Sequence, residues 1–305
     1  MDTIQKNLLE QVADLHEIPS GAYNIRANGE SAGRNSTANI EITSKTDVPG
    51  IDIRIKDGTK RESVHIPVVL SESGLKDMVY NDFFIGDNCD VVIVAGCGIH
   101  NCGDQESSHD GIHRFFVGKN SHIKYVEKHY GEGDGSGARI MNPVTEVEMG
   151  EGSEMEMEMV QIKGIDSTVR ITNAKVGKNA RLAVTERLMT HGSQRAESRF
   201  NVDLDGEDSS ANVISRAVAR ENSVQIFKSA INGNAKCSGH TECDAIIMDN
   251  ANISAIPEIT ANNPDAALIH EAAIGKIAGE QIIKLMTLGL TEQEAEEEIV
   301  NGFLK

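Results

Sequence analysis

Apolar and polar residues alternate through the middle of the chain, most clearly in Met155-Glu156-Met157-Glu158-Met159. A period of two sends one face of a strand inward and the other to water. The alternating runs share one turn signature: Ile85-Gly86-Asp87-Asn88-Cys89, Val117-Gly118-Lys119-Asn120-Ser121, Met149-Gly150-Glu151-Gly152-Ser153 and Val176-Gly177-Lys178-Asn179-Ala180. Weaker copies follow at Leu204-Asp205-Gly206 and Ile231-Asn232-Gly233-Asn234. The first four copies are 32, 32 and 27 residues apart. Periods of 20 to 50 residues mark solenoids and arrays, and Gly and Asn supply the positive φ of tight corners. A meandering β-sandwich would also have short strands and regular turns. The recurrence of one signature favours a mainly β chain folded as a β-solenoid.

Helical periodicity is confined to the ends. Ile4, Leu8, Leu9, Val12 and Leu15 predict a short amphipathic helix that Pro19-Ser20-Gly21 ends. Strand alternation follows at Ala38–Ser44 and Ile51–Ile55, and the glycines of Gly131–Gly137 predict a loop. Near the C-terminus, Ile274, Ile277, Ile282, Leu285 and Leu288 give one apolar face to a helix from about Ala272. Gly289 stands at its C-cap, and the capping box Thr291–Glu294 starts a second helix, acidic outside and apolar at Ala295, Ile299 and Phe303. The chain thus divides into an N-terminal helix with leading strands (1–84), a solenoid core (85–270) and a helical hairpin (271–305). On these residues alone, the hairpin packs back on its own domain.

With 47 acidic against 29 basic side chains, the formal charge is −18. Such a surface repels phosphate backbones, which argues against nucleic acid and anionic membranes as partners. No apolar run approaches a membrane span and the N-terminus lacks a secretion signal. Five cysteines, an odd number in a long chain, fit a reducing compartment, so a cytoplasmic location is expected. The absence of a G-x-x-x-x-G-K-[ST] loop predicts that this chain binds no nucleotide by that route. Neither a G-x-S-x-G elbow nor an H-E-x-x-H helix is present, so a non-catalytic protein is expected. The run Glu146–Glu158 alternates with apolar residues and reads as the wet face of strands.

Two constellations carry candidate chemistry. Cys97, His100 and Cys102 lie close together, with His109 and His113 just downstream. Structural zinc sites pair one Cys-x2–4-Cys with a second such pair, and none lies nearby. Metal or cluster ligation, sulfur acceptance and no role all remain open. A metal-dependent solenoid enzyme using these residues, with an open coordination position to activate water, is the alternative functional reading. The second constellation is Cys243 with His270 and Glu271. A free cysteine is most often a buried small hydrophobe, and a Glu at a helix N-terminus is electrostatically favoured there. In a solenoid with roughly 25–30 residues per turn, however, Cys243 would stand beside His270 and Glu271 on neighbouring rungs.

The tract Ile269-His270-Glu271-Ala272-Ala273-Ile274-Gly275-Lys276-Ile277, with Leu288-Gly289-Leu290-Thr291 and Ile299–Phe303, resembles the C-terminal core of the SufB/SufD family. So does Cys243-Asp244-Ala245-Ile246-Ile247-Met248-Asp249-Asn250. His270-Glu271 follows the SufB pattern, and the chain looks like a short member of the family. The resemblance implies a right-handed parallel β-helix and a role as an iron–sulfur assembly scaffold. It further implies a transient cluster held by Cys243 with His270 and Glu271, and a SufC-type ATPase docked on residues 272–305. Pairing with a second copy or a SufD-like chain would use the C-terminal part of the solenoid. The family's sulfur-accepting cysteine has no counterpart in Met155–Ile162, which leaves Cys97, Cys102 and Cys237 by elimination; the sulfur donor stays open.

Overall fold

In the computed structural model, which describes Met1–Lys305, the chain winds through about eight turns of a β-solenoid. Helix α1 (Thr3–Ala13) precedes it, and α2 (Gly279–Met286) and α3 (Glu292–Phe303) follow. Successive strands alternate between two facing sheets, so each strand pairs in parallel with strands one turn away on either side. One sheet runs through Asp90–His100, His122–Glu132, Glu154–Lys163, Arg181–Thr190, Ser209–Ala219, Cys237–Ile247 and Ala267–Gly275. The facing sheet runs through Lys76–Ile85, Ser107–Val117, Arg139–Met141 with Val144–Met149, Ser167–Val176, Arg195–Leu204, Val224–Gly233 and Asn252–Ala261. Parallel pairing begins upstream of residue 85: Gly50–Ile55 pairs with Lys76–Ile85, and Lys60–His65 with Asp90–His100. Antiparallel hairpins close the N-terminal end, Ala22–Ala27 with Glu30–Asn35 and Ile40–Ser44 with Gly50–Ile55.

The repeated turn is the corner of each rung. Its fourth residue has positive φ at Asn88 (55°), Asn120 (52°), Gly152 (69°) and Asn179 (54°). Corners stack through their backbones: Asn88 N donates to Lys119 O at 2.8 Å, Asn120 N to Glu151 O at 3.0 Å and Gly152 N to Lys178 O at 2.8 Å. A Cβ on Gly118 would lie 2.4 Å from Gly86 O, so this glycine is demanded by the approach of one corner to the next. Inside, a single cluster of 37 buried residues runs along the axis. Met155, Met157 and Met159 are buried while Glu154 and Glu156 are exposed, as the alternation requires. Phe83 and Phe115 stack at 4.4 Å on adjacent rungs.

Two boundaries differ from the sequence reading. The last strand continues to Gly275, and α2 starts only at Gly279, not near Ala272. Backbone pairing of Ala267–Gly275 with Ser238–Ile246 offers each of these residues a ladder bond, which outweighs the local helical period. At the N-terminus, Asp14 caps α1 in the left-handed conformation (φ 52°), several residues before Pro19. The second capping box is present, with Thr291 Oγ1 accepting from Glu294 N. Gly118→Ala should destabilise the chain by about 2 kcal/mol, because backbone rather than a mobile side chain must move aside. Urea unfolding of wild type and variant measures this difference.

Candidate functional site

The strand register decides which candidate residues meet. In the first sheet one interior column contains Ala95, Glu127, Met159, Glu186, Ser215, Cys243 and Ala272 on successive rungs. The next inward column begins Cys97, His129, Gln161. From the facing sheet, Asp77 and His109 stand on adjacent rungs, as do Arg170 and Ser198. All of these polar and ionisable side chains are buried.

They form a connected polar line within an otherwise apolar solenoid. Asp77 Oδ2 lies 3.0 Å from His109 Nδ1, and Arg26 Nη2 donates to Asp77 Oδ1 at 2.8 Å. His109 Nε2 is buried without a hydrogen-bond partner of normal geometry, and Cys97 stands beside it. Burial alone would raise the Cys97 thiol and lower His109; their mutual attraction, with Asp77 behind His109 and His129 beside Cys97, reverses both shifts. Burial likewise opposes ionisation of Asp77, but the His109 and Arg26 partners hold it down at about 2. Further along, Arg170 Nη1 donates to Glu127, and its Nε lies 3.8 Å from Glu186. Ser198 Oγ and Ser215 Oγ donate to the two Glu186 oxygens at 2.5 and 2.7 Å. Although burial opposes it, the Arg170 charge, with His129, holds Glu127 well below the usual carboxylate range. Cys243 follows Ser215 in the same column and is pushed up to about 12, first by burial and then by the Glu186 and Asp244 charges. Free of metal, Cys243 is therefore a thiol, and ligation would have to displace its proton.

The structure places Cys243 and His270 on the same inward face of neighbouring strands, two register positions apart, and sets Glu271 on the opposite face. His270 pairs with Thr241 and Ala272 with Cys243, which gives all four the inward parity. His270 Nδ1 is buried without a partner. Glu271 pairs with Glu242 and turns outward, where it meets His240 Nε2 at 3.6 Å. The ligand atoms of His240, Glu242 and Glu271 all lie within 4.8 Å of one another. Glu242 is pushed up by its hydrogen bond with Asp244, by partial burial, and by the Asp244 and Glu271 charges. Inner and outer donors thus flank the same strand pair.

The Cys97–His113 constellation does not converge. Cys97 and His109 face inward, whereas His100 and Cys102 stand at the solvent-facing end of the strand. His113 Nδ1 instead bonds Tyr125 Oη at 2.8 Å. No three ligand atoms from these residues come within 4.8 Å of one another. Sequence reading missed Asp77, Glu127, Arg170 and Glu186. Their signal was present: each occupies a position whose neighbours two residues away face the core, as in Tyr125-Val126-Glu127-Lys128-His129, and a charge in that register is expensive unless paired.

Residues 80–303 match the family described as SUF system FeS cluster assembly, SufBD core domain. The chain belongs to this SufBD family of iron–sulfur cluster assembly proteins. It is 31% identical over 264 residues to an iron–sulfur cluster assembly SufBD family protein of Archaeoglobus fulgidus, covering 85% of this chain and 69% of that one. A protein of the same description from Methanocaldococcus jannaschii is 29% identical over 255 residues, 83% of this chain and 79% of the relative. Another, from Pyrococcus horikoshii, is 28% identical over 297 residues, 97% and 84% of the two chains. No helix is long and apolar enough to cross a membrane.

Arg170→Met should cost about 3–5 kcal/mol, because Glu127 and Glu186 would be left buried without their cation; denaturant unfolding at pH 7 tests this. His113 is pushed down to about 4, chiefly by burial, although the Glu127 charge opposes this. Since that value lies below the unfolded 6.5, the unfolded chain takes up this proton first. The stability tied to His113 is complete above about pH 6.5 and is lost as pH falls to about 4. In His113→Gln the loss over that window should be smaller by about 3 kcal/mol, read from melting curves across pH.

Proposed function

We propose that the chain is a non-catalytic scaffold subunit on which a transient iron–sulfur cluster, its cargo, is built at the C-terminal end of the solenoid. The observation that carries this reading is the shared interior face of Cys243 and His270 on the last two rungs, with a buried and unpartnered His270 nitrogen. A soft thiolate and an imidazole on one face give mixed ligation, with Glu271 on the opposite face outside that set. Such a set holds a cluster less firmly than four thiolates, which suits a protein that must release what it assembles.

The open end supplies the remaining ligands from a second chain, either another copy or a SufD-like partner. Asn252–Ala261 and Ala267–Gly275 end their sheets with unpaired edges, and exposed Ile256, Ile259, Ile269 and Ile274 lie on them. Unpaired edges of this length are templates for strand addition. The helical tail serves the SufC-type ATPase. Helix α3 is anchored to the solenoid, with Val300 and Leu304 packed on Val218. Helix α2 has no buried residue, and Ile283 and Leu288 are 62% and 74% exposed. One helix holds the hairpin while the other offers an apolar face to a partner. Nucleotide hydrolysis belongs to that partner.

Anaerobic reconstitution with iron and sulfide, followed by visible absorption and iron and sulfide assay, tests the assignment. Wild type should acquire a cluster and Cys243→Ala should lose nearly all of it while keeping its fold by circular dichroism. A cluster of wild-type yield on the variant would remove Cys243 from the site.

A further inference from the structure

The outer face of the last two rungs carries donors that the interior site does not use. His240 and Glu242 are two positions apart on Cys237–Ile247 and share its outward face, and Glu271 stands opposite Glu242 on Ala267–Gly275. Paired strands run about 4.8 Å apart, so two carboxylates are stacked side by side with an imidazole next to them. His240 Nε2 lies 3.6 Å from Glu271 Oε2, and the ligand atoms of all three residues lie within 4.8 Å of one another. Asp244, the next outward residue, hydrogen-bonds Glu242 and adds a third carboxylate.

Two features separate this group from an ordinary acidic patch. First, the imidazole is aimed. His240 Nδ1 lies 2.9 Å from Asn212 Oδ1, and Asn212 precedes His240 in the same outward column. An amide oxygen only accepts, so Nδ1 carries the proton, and the neutral ring presents the Nε2 lone pair to the carboxylates. Metal-binding histidines are held by their other nitrogen in the same way. Second, the negative charge is uncompensated. No ion pair joins Glu242, Asp244 or Glu271 to a lysine or arginine, although Arg216 occupies the register position beside Asp244. Like charges stacked across a strand pair repel, and here they fall on the last rung, which is paired on one side only.

We propose that His240, Glu242 and Glu271 bind one divalent transition-metal ion through one nitrogen and two carboxylate oxygens, and that the ion ties the final strand to its neighbour. One imidazole with two carboxylates suits a borderline ion such as Fe²⁺, Mn²⁺ or Zn²⁺, whereas Ca²⁺ and Mg²⁺ take oxygen donors. The Glu271 side chain is 66% exposed and that of His240 31%, so water completes the coordination. Because His240 and Glu242 belong to one strand and Glu271 to the next, binding joins the two strands and stabilises the folded chain. The site lies on the opposite face of the strand pair from Cys243 and His270 and does not rest on the cluster reading.

The metal-free, full-length Cys243→Ala chain, which lacks the interior thiol, should be titrated with Co²⁺, whose visible and near-ultraviolet spectrum reports its ligands. One equivalent should bind with weak d–d bands and no intense sulfur-to-cobalt charge-transfer band. Zn²⁺ at saturation should raise the melting temperature. Adding His240→Ala or Glu242→Gln should keep the metal-free fold by circular dichroism and weaken Co²⁺ binding by at least ~10-fold. Asn212→Ala, which removes the positioning residue and no ligand, should weaken it about 10-fold. Absence of stoichiometric binding, a sulfur charge-transfer band, or unchanged affinity after His240→Ala would overturn the proposal.

Discussion

Rung-on-rung backbone pairing is the constraint on which everything else in this molecule depends. Because each strand pairs in parallel with the strand one turn away, side chains at equivalent positions stack in columns, and a column keeps to one face of its sheet. Charge placed on an inward position cannot reach water. Arg170 therefore has to meet Glu127 and Glu186, Ser198 and Ser215 have to satisfy Glu186, and Asp77 has to orient His109. A buried ion pair is a poor source of net stability compared with an apolar filling. An interior that carries so many of them, in columns otherwise built of Met, Val and Ile, is shaped by something other than stability. The polar line leads from the Cys97–His109 pair to the column that contains Cys243, and both ends of it are thiols.

The same pairing rule explains the C-terminal end. Every interior rung is covered on both sides, but the last strand of each sheet has one free edge, and Cys243 lies one rung beneath it. Burial pushes the Cys243 thiol up, so the closed monomer protects it from adventitious reaction. A ligand role requires a metal strong enough to displace the proton. The α2–α3 hairpin is tied by α3 to the outer side of Val218 and Ile246, on the strands that carry Ser215 and Cys243. Force applied to the hairpin would therefore act on the rungs that hold Ser215 and Cys243.

The solenoid was legible because its corners repeat in sequence: Asn88, Asn120, Gly152 and Asn179 adopt the positive φ that their turn signature implies. The start of α2 was not. Ile274 and Ile277 fit a helical period locally, but Ala267–Gly275 is claimed by pairing with a strand whose residues lie almost thirty positions upstream. The separation of Glu271 from Cys243 was hidden for a related reason. Sequence distance gives the rung, whereas the face depends on the register, and a shift of one residue exchanges inside for outside. His270 and Glu271 are neighbours in the chain and lie on opposite faces of the sheet. Likewise, Cys97 and Cys102 read as one cluster in sequence, but only the first enters the interior.

The central claim is that the cluster is held by mixed ligation at the end of the solenoid, with Cys243 as its thiolate. Iron K-edge X-ray absorption on the anaerobically reconstituted protein addresses this directly. The account predicts a first shell in which nitrogen or oxygen donors accompany sulfur. A shell of sulfur alone, as four cysteine thiolates per cluster would give, would contradict it.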